Sequence, residues 1–210
     1  MSILIIGGKG NMGRRYRSIL SYLGKDTCVS DIDTPPKESW RMAERSDGII
    51  IASPTDTHTG FILSLAKLGK PILCEKPISK DVKELAKVLR YTRNKCPIAM
   101  VYQYGMIADT KGKGLTHYDY YHHGSDGLFW DCIQLIGLAN GDLKLSETSH
   151  IWRCQINGTR INRGQMDYAY EAFISAWLRN PRQDVESLID LHVCTSELEQ
   201  DALRADGRNH

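Results

Sequence analysis

The chain has 210 residues, 41% of them hydrophobic and 25% charged, with a formal net charge of +2. That length provides one large domain or two small ones with a substantial core, and the composition is that of an ordinary soluble protein. No apolar run approaches the roughly 20 residues of a membrane-spanning helix, and the dispersed charge argues against a nucleic-acid surface despite the basic Arg14, Arg15 and Arg17. The leading apolar run is too short for a signal peptide and lacks a basic leader, so a cytoplasmic location is expected. Cys28, Cys74, Cys96, Cys132, Cys154 and Cys194 are widely separated and form no C-x-x-C pair. They read as reduced, mostly buried thiols.

In chain order, short β-rich runs at 3–6, 27–30, 48–52, 71–74 and 98–102 alternate with helical patterns at 12–23, 36–45, 57–68 and 80–93. In the last of these, Val82, Leu85, Ala86 and Leu89 make one apolar stripe. Ser79 is the expected N-cap, and Pro36 suits a first helical turn. Strands apolar almost throughout and separated by helices predict a parallel sheet covered on both faces. The fold class is therefore α/β, with a Rossmann-type, doubly wound parallel sheet.

The join of the first strand and first helix reads Gly8-Lys9-Gly10-Asn11-Met12-Gly13. In this G-x-G-x-x-G pattern Gly8 allows the tight turn and Gly10 lets backbone approach a pyrophosphate. Gly13 lets the helix pack close to the sheet, and free amides at the helix N-terminus face the negative charge. Asp31, at the end of the second strand, is placed to accept hydrogen bonds from an adenosine ribose, with Asp33 as its alternative. The aspartate's charge repels a 2′-phosphate, which favours NAD over NADP.

Residues 49–79 read as strand, turn, helix, strand and then Glu75-Lys76-Pro77. With the glycine motif, Asp31 and the Ser-Pro-Thr…His segment before it, this order resembles the Gfo/Idh/MocA family of nicotinamide-dependent oxidoreductases. The resemblance covers the first half of the chain well and the second half poorly. It implies that Ser53, Pro54 and Thr55 line the dinucleotide, that His58 lies nearby, and that Lys76 sits beside the nicotinamide and the reacting carbon. Glu75 would hold the lysine or contact the nicotinamide ribose. An ammonium beside a C–O group can donate to the oxygen that gains charge, and burial can lower its pKa enough to relay a proton.

The resemblance also implies a second domain, shortened here, and a first domain trimmed of one strand and helix after residues 39–47. The expected division is 1–104 for the dinucleotide-binding domain and 105–210 for a smaller α+β substrate and dimerisation domain. Residues 115–123 alternate like a strand, 127–139 read as a buried helix, and 146–162 as a β-hairpin turning at Asn157-Gly158. Met166, Tyr170, Phe173, Ile174 and Trp177 form a helical stripe, and a last helix spans 184–200. Asp131 matches the family's substrate-facing aspartate, but Leu135 stands where its histidine partner belongs, so His122 and His123 are the replacement candidates. Tyr104, Tyr118, Tyr120 and Trp130 are either core or a wall for a ring.

The resulting expectation is an NAD(H)-dependent oxidoreductase, forming a homo-oligomer, that acts on a small polyol, sugar or sugar-like metabolite. Neither nucleic acid nor membrane is an expected partner, and no metal is expected. The alternative is a non-catalytic dinucleotide-binding sensor or partner subunit that kept the cradle.

Overall fold

The apolar runs of the first half become five parallel strands in the computed structural model, which describes residues 1–107, 112–121, 128–148 and 152–205. These strands are β1 (Ser2–Ile6), β2 (Asp26–Ser30), β3 (Gly48–Ile51), β4 (Ile72–Cys74) and β5 (Ile98–Met100). They are ordered β2-β1-β3-β4-β5. Between them run α1 (Asn11–Tyr22), α2 (Pro36–Arg45), α3 (Thr55–Leu65) and α4 (Val82–Thr92). Ile3–Ile5 and Ile49–Ile51 are fully buried, as expected for strands covered on both faces. The chain goes from β1 outward to β2, then returns across β1 to β3. That reversal opens a crevice at the carboxyl ends of β1 and β3, where open α/β sheets bind ligands.

Local chemistry ends the helices where the crevice requires it. Pro36 occupies the first turn of α2, and Lys70 closes its other end, donating to the carbonyls of Ala43, Glu44 and Ser46. The cap of α4 is Asp81 rather than Ser79: its carboxylate accepts from the amides of Lys83 and Glu84. The Ser79 hydroxyl instead donates to Glu84 and accepts from the Asp81 amide.

The chain divides into two compact units, the first comprising Met1–Val101 with Phe173–Val185. The return of 173–185 differs from a boundary at 104/105. It has packing and pairing reasons: a Cβ on Gly48 would lie 3.2 Å from the Trp177 ring. The Gln183 side chain accepts the Met100 amide at 2.8 Å, and the Gln183 amide donates to Ile98 O at 3.3 Å. The open side of β5 is thereby covered.

The second unit carries β6 (Thr116–Tyr121), α5 (Leu128–Asp131), α6 (Ile133–Leu138), β7 (Leu143–Thr148), β8 (Arg153–Ile156) and β9 (Thr159–Ile161). Helices α7 (Arg163–Arg179) and α8 (Val185–Ala205) follow. Its sheet is mixed and ordered β7-β6-β8-β9, with β6 and β7 parallel. Tyr118, Cys154, Ile156 and Ile161 pack on Cys132, Leu135 and Leu138, so one sheet face is apolar. Asn157 and Gly158 turn the β8–β9 hairpin with φ of 47° and 86°, the paired left-handed conformations of a two-residue hairpin loop. The hairpin is narrower than expected, because residues 146–148 end the separate strand β7. The helix expected over 127–139 is two short helices broken at Cys132. Beyond the break Gln134 is buried, bonding Gln103 Oε1 at 2.7 Å and the Tyr104 amide at 3.3 Å.

Candidate functional site

The first strand ends in a loop built on missing side chains. Gly7 has φ 77°, and a Cβ there would lie 2.6 Å from Ala52 O. The tight turn thus belongs to Gly7 and not to Gly8, which stands against Val29, where a Cβ would lie 2.6 Å from its methyl. The doubled glycine was the available signal for this. At Gly13 a Cβ would meet Gly7 O at 2.3 Å, so α1 packs directly on the loop. Gly10 is the N-cap of α1 and brings no capping side chain. The amides of Asn11, Met12 and Gly13 therefore begin a helix whose first turn has no internal acceptors, a position suited to an anion. Arg14 braces the loop from outside, bonding Lys9 O at 2.5 Å and Asn11 Oδ1 at 2.7 Å.

Beside the loop lies a mostly apolar cleft of about 550 Å³, lined by Gly7, Asp31, Trp40, Ser53, Pro54 and Phe61 among others. Its lining comes from α2 and α3, from the ends of β1 and β2, and from Ser53 and Pro54 in the turn after β3. Asp31 Oδ2 accepts the Lys9 amide at 2.8 Å, and Oδ1 accepts the Ile32 amide at 2.9 Å. A carboxylate can accept about four hydrogen bonds, so capacity for ligand hydroxyls remains. Asp33 is exposed and paired with the Lys9 ammonium, which holds its carboxyl below the usual range. Asp31, not Asp33, is the aspartate at the cleft.

Ser53 and Pro54 line the cleft together with Thr57, a residue the sequence reading passed over. The Thr57 hydroxyl bonds Ser53 Oγ at 2.7 Å and Pro54 O at 2.7 Å, holding the turn onto α3. Thr55 is the first residue of α3. His58 is 1% exposed rather than solvent-facing. Its Nδ1 lies 2.9 Å from Pro77 O and its Nε2 2.8 Å from Ser53 O, so it ties the two loops together. Glu75 leaves β4 buried, accepts from the Tyr16 hydroxyl, and takes the Lys76 amide on Oε2 at 3.1 Å. Lys76 follows, half-buried, before the cis peptide to Pro77. The structure thus gathers Gly8, Gly10, Asn11, Met12, Gly13, Asp31, Ser53, Pro54, Thr55, His58, Glu75 and Lys76 around the carboxyl ends of one sheet.

In the second unit, Asp131 ends α5, half-buried. Tyr118's phenol is pushed far up by burial and by Cys132, and Asp131 adds to this. His122 and His123 lie outside the described residues. Tyr104, Tyr118 and Trp130 are core residues, and Gln134 and Gln103 continue through Gln103 Nε2 to the Tyr170 hydroxyl at 2.9 Å. A constellation not singled out from the sequence lies on the polar face of β6. His117 Nε2 is 2.9 Å from Asp119 Oδ1, the Ser146 hydroxyl donates to that same oxygen, and Arg153 Nε is 3.5 Å from Oδ2. The Ser146 hydroxyl, and then His117, hold the Asp119 carboxyl below its usual range. The two-residue spacing of His117 and Asp119 on a strand was the signal.

Residues 28–103 match the model of an oxidoreductase family with an NAD-binding Rossmann fold. An inositol 2-dehydrogenase of Rhizobium meliloti is 43% identical over 67 residues, 32% of this chain and 16% of the relative. The rhizopine catabolism protein MocA of Rhizobium meliloti is 44% identical over 41 residues, 20% of this chain and 13% of the relative. The matched stretches thus span less than a fifth of these relatives' own length. Among solved structures, the WlbA dehydrogenase of Thermus thermophilus, in complex with NAD and α-ketoglutarate, aligns with a TM-score of 0.73 at 14% identity, covering 93% of this chain and 94% of that one. A myo-inositol dehydrogenase of Corynebacterium glutamicum aligns with a TM-score of 0.67 at 13% identity, over 93% and 94% of the two chains. These likenesses show a shared fold.

Proposed function

We propose, for a chain whose nucleotide-binding unit belongs to the Gfo/Idh/MocA oxidoreductase family, an NAD(H)-dependent oxidoreductase acting on a small polyol, sugar or sugar-like metabolite. The observation that carries this reading is the uncapped N-terminus of α1 beside an apolar cleft that Asp31 helps to line. That arrangement fits a dinucleotide: the amides of residues 11–13 suit the pyrophosphate, and the cleft suits adenosine. Asp31 accepts ribose hydroxyls and repels a 2′-phosphate, which favours NAD over NADP. Ser53, Pro54 and Thr55 border the cofactor, His58 keeps their turn in place, and Glu75 anchors the segment that presents Lys76.

A bound nicotinamide supplies the hydride exchange. Lys76 performs the chain's own part. In reduction its ammonium donates to the substrate oxygen as charge gathers there, and in oxidation the neutral amine accepts that oxygen's proton. Asp131, carried over from the family resemblance, and His122 or His123, in place of the family's histidine, are the candidate set for orienting substrate hydroxyls and completing proton transfer. The relatives named inositol 2-dehydrogenase make myo-inositol the first substrate to assay. β2 forms one edge of the five-stranded sheet, and a strand edge that can pair with another chain supports a homo-oligomer, which light scattering after size exclusion reads directly.

The test combines NADH fluorescence titration with turnover of myo-inositol and related polyols. Lys76→Ala is expected to keep the NADH Kd within about twofold while lowering turnover by about 10²–10⁴-fold. Unchanged turnover removes Lys76 from the mechanism, and failure to bind NADH removes the whole reading. Tight NADH binding without turnover on any polyol or keto compound favours a dinucleotide-binding sensor instead.

A further inference from the structure

The structure assigns Tyr16 as a positioning residue for Lys76, a role that rests on the reading of Lys76 as the group meeting the substrate oxygen. Glu75 is 7% exposed, and a carboxylate taken so far from water needs donors. Tyr16, itself 0% exposed, donates its hydroxyl to Oε1, while the amide of Lys76 reaches Oε2. The carboxylate is therefore a clasp between a side chain of α1 and the backbone of the lysine. On the far side of Lys76, His58 holds the Pro77 carbonyl at 2.9 Å. The segment is pinned from α1 before the lysine and from α3 after it.

Tyr16 lies on α1, the helix whose first turn is assigned above to the cofactor phosphate, one turn further along. The hydroxyl thus links the glycine loop to the lysine through a single carboxylate. Without it, Glu75 is buried with one donor fewer and turns to recover one, and the Lys76 backbone follows because its amide is bonded to the other oxygen.

The experiment uses the full chain with NADH bound and compares wild type, Tyr16→Phe, Glu75→Gln and the double variant. Lys76 is labelled competitively with acetic anhydride and quantified by mass spectrometry, with Lys87 of α4 as the internal reference. Tyr16→Phe is expected to change Lys76 labelling on the order of threefold, leaving Lys87 unchanged and the NADH Kd within about twofold. The double variant should match Glu75→Gln alone, because Tyr16 acts through Glu75. Turnover should fall about tenfold in kcat with the KM for NAD held. Should Tyr16→Phe not fold, 4-fluorophenylalanine in place of Tyr16 fills the hydroxyl's space without a donor and is expected to change Lys76 labelling in the same way. Lys76 labelling unmoved by Tyr16→Phe, or by 4-fluorophenylalanine in its place, or simple addition of the two single effects overturns the assignment. The labelling arm needs no substrate. If Lys76→Ala retains turnover while Tyr16→Phe changes labelling, the positioning link stands and the mechanism assigned to Lys76 is what fails.

Discussion

Two glycines of the same motif have different jobs, and substitution separates them. A Cβ at Gly13 would stand 2.3 Å from Gly7 O and 2.5 Å from Gly8 Cα, both backbone atoms that cannot turn aside. Gly13→Ala is expected to cost on the order of 3 kcal/mol, read as a lower urea midpoint at unchanged slope. At Gly10 the nearest atom to an added Cβ is Gly7 O at 3.3 Å, and φ is −70°. Gly10→Ala should leave the midpoint nearly unchanged yet weaken NADH binding about tenfold or more, because the methyl occupies the approach to the helix amides. Equal losses of stability in the two variants would contradict this division. The sequence motif identified all three spaced glycines, but the left-handed turn fell at Gly7, since only the contact with the end of β3 distinguishes two adjacent glycines.

Among the elements, the ends carry the information that periodicity lacks. Asp81 and Ser79 are both good capping residues, and the path of the chain after Pro77 selects Asp81. Asp81→Ala should therefore cost about 1 kcal/mol by denaturant unfolding, with Ser79→Ala costing less of helix α4 itself. Lys70 gathers three carbonyls at the end of α2, the helix that walls the cleft with Trp40. Lys70→Met keeps the apolar stem and loses the ammonium. It should lower stability by about 1–2 kcal/mol, and a midpoint unchanged from wild type would show those carbonyls to be satisfied by water alone. The strands of the first unit were legible because their residues are apolar on both faces. The break at Cys132 was not, since the stretch is apolar nearly all round and its buried Gln134 finds its partners in Gln103 and Tyr104, distant in sequence.

For the molecule as a whole, acid stability depends on groups that folding removes from water. His192 of α8 is fully buried, bonds Leu188 O through Nδ1 at 2.7 Å, and packs beside the Trp130 ring. Burial pushes its pKa from 6.5 down to about 4. Between those values the unfolded chain binds a proton at this residue that the folded chain does not. Stability therefore falls as pH drops from 6.5 and levels off, for this group, below about 4. Urea unfolding at pH 7.5 and 5 should differ by on the order of 1–2 kcal/mol through this residue, and His192→Leu should remove that part. An equal pH dependence in the variant would assign the loss to other groups. Asp119 acts lower. Its depressed pKa gives stability present above the ordinary carboxylate range and lost as pH falls through the depressed value.

Local sequence was sufficient wherever one physical pattern excluded the others. Alternating apolar runs and amphipathic stretches dictated the parallel sheet, Asn157-Gly158 dictated the hairpin turn, and the order of the glycine motif, Asp31, Ser-Pro-Thr and Glu-Lys-Pro dictated the nucleotide-binding unit. Tertiary structure alone decided what depends on residues far apart in the chain. It put Tyr16 on Glu75, turned His58 inward to two carbonyls, brought Ser146 and Arg153 to Asp119, and returned residues 173–185 to the first sheet. Periodicity reports which face of an element is apolar, whereas hydrogen-bond partners are set by the loops that choose what that face meets.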